Sequence, residues 1–79
     1  MPENTGGAEK YDELTKLSNI ATDMLLNPKL RIEAINVIGA MKTHEALLAL
    51  LALAANDRLN VSERDLALRQ AREVIKSGH

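Results

Sequence analysis

The sequence predicts an all-α fold, a compact array of four helices, and three observations predict it. The first is composition: Leu, Ile, Ala, Val and Met supply the core candidates and Tyr11 is the one aromatic residue. Strands prefer β-branched and aromatic side chains, so this inventory disfavours a sheet. The second is spacing, because apolar residues recur at three- and four-residue steps, which places them on one helix face. The third is punctuation, since Asn-Pro, Thr and an Asn/Asp-rich stretch divide the chain into four such segments. At 79 residues the chain is one domain, near the size where a single core supplies only about 3–5 kcal/mol. Self-association is therefore worth considering from the start.

Residues 1–8 combine Pro2, Gly6 and Gly7 with polar residues and are expected to form a frayed tail, leaving 9–79 as the helical domain. The first helix is expected from Glu9 to Leu26, with Tyr11, Leu14, Leu17, Ile20 or Ala21, Met24 and Leu25 on its apolar face. Asn27-Pro28 then gives an N-cap followed by a proline at the first helical position, where no hydrogen bond is lost. The second helix runs to about Met41, its stripe being Leu30, Ala34, Ile35, Val37, Ile38 and Met41, with Lys29, Glu33, Asn36 and Lys42 opposite. Gly39 inside that stripe costs about 1 kcal/mol relative to alanine. It points to close approach of another helix in preference to an early helix end.

Thr43 is a candidate N-cap for the third helix, and from Ala46 to Ala55 every residue is alanine or leucine. A helix apolar on all sides is normally sandwiched between neighbours, so this one is expected at the centre of the core. Asn56, Asp57 and Asn60 mark the next turn, after which Ser62 is read as the cap of the fourth helix, with Asp65 reciprocating. Leu66, Ala67, Leu68, Ala71, Val74 and Ile75 form its apolar face, and Ser77-Gly78 ends it.

Leu30-Arg31 followed by Ala34, Ile35, Val37, Ile38 and Gly39, then Thr43-His44-Glu45-Ala46-Leu47 leading through Leu50, Leu51 and Leu53 to Asp57, resembles a HEAT-like repeat of the phycobilin-lyase type. Val61 to Ile75 is similar to the first helix of a second repeat, with Arg64, Ala67, Ala71 and Ile75 in fitting positions. It departs by two residues between Val61 and Arg64, and by Arg72 where the helix-end glycine would stand. The resemblance covers rather more than half the chain and implies α-solenoid-type hairpins that stack like tiles. At least three such units are normally needed before the end faces can be polar caps, and about one and a half are present. Either the first helix closes the core, or a second copy covers an apolar face. The resemblance implies binding, scaffolding or assembly; it does not carry the lyase activity of some relatives.

Composition also bears on chemistry. There is no cysteine, so disulfides, thiolate zinc sites and thiol nucleophiles are excluded. His44 and Glu45 diverge by about 100° on a helix, His79 stands at the chain end, and no set of three or four metal ligands converges. Glu9, Asp12, Glu13 and Asp23 suit a solvated face, and Gly6-Gly7 lack the strand and lysine of a phosphate loop. No catalytic residue, cofactor or metal site is assigned, and no enzyme is expected. The opening residues have neither the basic start nor the apolar core of a signal peptide, and no apolar run approaches the ~18–20 residues of a membrane span. A soluble, cytoplasmic protein is the expectation.

The net charge of −1 is unevenly spread, with two basic and five acidic residues over 1–28 but five basic and four acidic over 57–79. On the fourth helix Arg69, Arg72 and Lys76 are spaced to form a basic ridge, with Glu73 beside it. The ordinary reading is a solvated face. The functional reading is a ridge that meets an acidic partner or phosphates. The sequence thus points to a non-enzymatic protein–protein interaction or assembly module, a homodimer being one form of it. The alternative is a small nucleic-acid-associated regulator using the basic face of the C-terminal helix, with steep salt dependence as its signature.

Overall fold

The computed structural model describes residues 6–77. Residues 1–5, the side chains of Glu9, Tyr11 and Asp12, and Gly78 and His79 lie outside that description; of the expected tail 1–8, residues 6–8 belong to the first helix. Four helices follow one another: α1 (Gly6–Thr22), α2 (Pro28–Met41), α3 (His44–Ala54) and α4 (Val61–Lys76). No strand is present among the described residues. The all-helical expectation holds.

Caps and turns explain the boundaries. Asn27 caps α2 by accepting from the Lys29 amide at 2.8 Å, with Pro28 opening the helix. Thr43 caps α3 by accepting from the Ala46 amide at 3.0 Å. Three boundaries differ from expectation, the first being that α1 opens at Gly6 and not at Glu9. Helix α1 stops at Thr22 and not at Leu26: the Thr22 hydroxyl turns back to the Ser18 carbonyl at 2.9 Å, and the Asp23 carboxylate accepts from the Leu25 amide at 3.0 Å, closing a side-chain turn. Met24 and Leu25 therefore leave the helix, and Leu25 is 96% exposed at the loop tip. Helix α4 is capped by Asn60 and not by Ser62; the Asn60 side chain accepts from the Glu63 amide at 2.9 Å, and the Ser62 hydroxyl donates to that same side chain at 2.8 Å.

The helices pair in chain order, α1 with α2 and α3 with α4, and α2 joins the pairs by packing on both α3 and α4. Helix α1 touches α3 but not α4. Helices α2 and α3 each pack on all three others, α3 only lightly on α1, so the central position expected for α3 is shared with α2. Of the run in α3, Ala46, Leu47, Leu50 and Leu53 are buried while Leu48 and Leu51 face outward. An apolar circumference shows only that a helix can be sandwiched; here its neighbours cover one side.

Alanines line the inter-helix seams. Ala21, Ala34, Ala46, Ala67 and Ala71 are all essentially inaccessible, around a core of Ile35, Ile38, Leu50, Leu53, Leu59 and Val74. Gly39 belongs with them. A Cβ on it would collide with the Gln70 Oε1 of α4 and lie 2.7 Å from Gln70 Cδ and 3.0 Å from Gln70 Cβ. Close approach is the reason for the glycine. The chain leaves α2 not there but at Lys42, which takes a left-handed conformation at φ 56°.

Candidate interaction surfaces

The α2–α4 seam contains a buried ion pair. Arg31 donates from Nε and Nη2 to Glu63 Oε2, at 3.2 and 2.9 Å, with both side chains almost wholly buried. The Nη1 of Arg31 donates to the Leu26 carbonyl at 2.7 Å and to the Asp23 carbonyl at 3.4 Å. One guanidinium therefore ties the α1–α2 turn to the first turn of α4. The second carboxylate oxygen of Glu63 has no protein partner. The pair is sealed in the packing, and structural contacts saturate the arginine side. The arrangement was only partly legible: Arg31 stands three, four and seven residues before Ala34, Ile35 and Ile38, squarely on the buried stripe. A cation so placed needs a partner, but the sequence alone does not say which carboxylate comes.

Large aliphatic side chains lie on the opposite sides of the same two helices. Leu30 is 46% and Val37 49% exposed; they line, with Leu17, Ile20, Glu33 and Ala34, an open groove of about 200 Å³ between α1 and α2. At about 100° per residue, the mean direction of Leu30 and Val37 lies about 150° round α2 from that of Arg31 and Gly39, the residues that meet α4. On α4, Leu68 and Ile75 are 42% and 54% exposed. They lie about 140° round that helix from Glu63 and Gln70, which meet α2. The two apolar patches consequently face away from the seam in opposite directions. A further groove of about 320 Å³ between α1 and α3 is lined by Leu14, Thr15, Ser18, Asn19, Glu45, Leu48 and Ala49.

The basic ridge lies on the outer side of α4, with Arg69, Arg72 and Lys76 all exposed. Arg69 and Arg72 share a shallow depression with Asp65 and Leu68. Lys76 reaches Glu73 at 3.9 Å. The structure thus brings two of the three cations together and couples the third to a carboxylate of its own helix. His44 and Glu45 are exposed at the start of α3. Among the described residues no three His, Asp or Glu side chains are placed to hold a metal ion, and no helix is long and apolar enough to cross a membrane.

Comparison of the chain with protein-family models, with curated proteins and with solved structures gives no match.

Proposed function

We propose that this protein is a non-enzymatic interaction or assembly module of HEAT-like helical type, with α2–α3 as its repeat hairpin, α4 as the first helix of a second and α1 as an added helix. The observation that carries this reading is the exposure of large aliphatics on both outer sides of the array, Leu30 and Val37 on one and Leu68 and Ile75 on the other. In a stacked-hairpin protein those are the positions where the next unit would sit. Contiguous exposed apolar surface on a small domain marks an interaction site. The closest packing falls within α1–α2 and α3–α4 and not within α2–α3, so the reading rests on the exposed aliphatics and not on the packing order.

The test is site-specific photocrosslinking in cells expressing the chain, with a benzophenone amino acid at position 37 or 68 and controls at the exposed residues Arg58 and Glu73. Discrete covalent adducts with a protein, from the apolar positions and not from the controls, are the expected result. Equal labelling everywhere, or none at 37 and 68, would remove the reading.

A further inference from the structure

We infer that the occupant of the α1–α2 groove is the outer stripe of α4 from a second copy, so that copies stack head to tail; this deepens the interaction-module reading and rests on it. The two faces match in three respects. Leu30 and Val37 are seven residues apart, as are Leu68 and Ile75, so each helix presents an apolar stripe about 10 Å long. The shapes are reciprocal, because one face is a groove between two helices while the other carries its apolar residues on the single helix α4. A ridge of one helix seated between two others is the ordinary way helices pack.

The charges are also reciprocal. Glu33 lines the groove, and Glu13, one turn before Leu17, is exposed beside it. The α4 stripe is bordered by Arg64 and Arg72, which flank Leu68 one turn to either side; Arg64 also lies 4.0 Å from Asp57, and Arg72 is the cation the stripe offers. Asp65 shares the depression with Leu68, about 80° round the helix from Ile75, and offsets part of this positive charge. Lys16 and Lys29 sit about 70–90° round their helices from the groove. Pairing the groove with itself would set Glu33 near Glu33, and pairing α4 with itself would set arginines together. The cross-pairing sets Glu33 against Arg72. Apolar area supplies the attraction and the charges choose the orientation. Because the faces point away from each other, each added copy leaves one of each kind free, and the association runs beyond a dimer, to a closed ring or an open filament.

Sedimentation velocity of the full chain over a dilution series tests this. The parent chain is expected to gain mass with concentration beyond a dimer. The double variants L30S/V37S and L68S/I75S, which alter only exposed residues, are each expected to be monomeric alone and to form a dimer when mixed one to one. Glu33→Arg should weaken association about fivefold, the size of one exposed ion pair, and mixing it with Arg72→Glu should restore it. Circular dichroism checks that every variant keeps its helix content, and the charge variants decide the matter if a double variant does not fold. Dimerisation of L68S/I75S on its own would show a groove paired with itself and overturn the head-to-tail arrangement. A parent chain monomeric at every concentration would overturn self-association altogether. In that case photoadducts with a different protein would leave the interaction reading standing, and their absence would remove both.

Discussion

Leu30 and Arg31 are neighbours in the chain with inverted burial: the leucine is half exposed and the arginine is 4% exposed. The same inversion occurs on α4, where Glu63 is buried and Leu68 and Ile75 are not. The two sides of these helices differ in what they must do. On the inner side, Ala34, Gly39, Ala67 and Ala71 are small enough to let the backbones close together, and such a seam has no room for a row of leucines. The long, narrow Arg31 side chain threads it only because Glu63 and two carbonyls receive its head. On the outer side the bulky aliphatics have space and no neighbour. Hydropathy alone does not assign a residue to the core; fit to the neighbouring helix does.

The sharpest way to break that comparison is Glu63→Ala. Removing one partner of a buried pair strands the other charge, at a cost of about 3–5 kcal/mol, comparable with the whole stability of a domain this small. The variant should be largely unfolded at room temperature by circular dichroism. Replacing both members, Arg31→Met with Glu63→Leu, should be far milder than the single change. A mild single variant would mean that the seam does not depend on the pair. Next in size is Gly39→Leu, which forces a side chain into the space held by Gln70 and should cost about 1–3 kcal/mol by overpacking, read as a lowered urea midpoint.

Smaller effects sharpen the boundaries. Asn60→Ala should cost about 1 kcal/mol as the loss of an N-cap, while Ser62→Ala should cost only a few tenths of that; the reverse order would make Ser62 the cap after all. Lys42→Gly should stabilise by about 1 kcal/mol, because a left-handed residue carries a steric penalty that glycine escapes. Smallest of all, Leu68→Ser with Ile75→Ser should change intrinsic stability by about 0.5 kcal/mol or less when measured where the chain is monomeric. A large loss there would place those side chains in the core and not on an outer face.

Much of the fold was legible because its signals are local. Asn27-Pro28 and Thr43 are caps whose partners lie within three residues, and Gly39 announced a close approach that Gln70 confirms. The misread elements depended on competition between local options or on distant partners. Asn60 and Ser62 are both good caps, and only the path of the turn decides between them. Met24 and Leu25 continue the periodicity of α1, but the Asp23 side-chain turn ends it. That α2 shares the centre with α3 depends on how the four helices are laid together, which no residue of α3 encodes. As for the surface, the ridge spacing of Arg69 and Arg72 was visible, whereas the groove around Glu33 arises only when α1 and α2 are laid side by side.

The Arg31–Glu63 link joins positions 32 residues apart in the chain. Its arginine end also fastens the turn at Asp23 and Leu26, so three segments share one set of hydrogen bonds. Neither hairpin can then open on its own without leaving a charge buried and unmet. The expected behaviour is a single unfolding event in which amides in the middle of α2 and α4 exchange with solvent at one common, slowest rate, and in which cutting the chain between α2 and α3 yields two pieces that hold their shape only in each other's company.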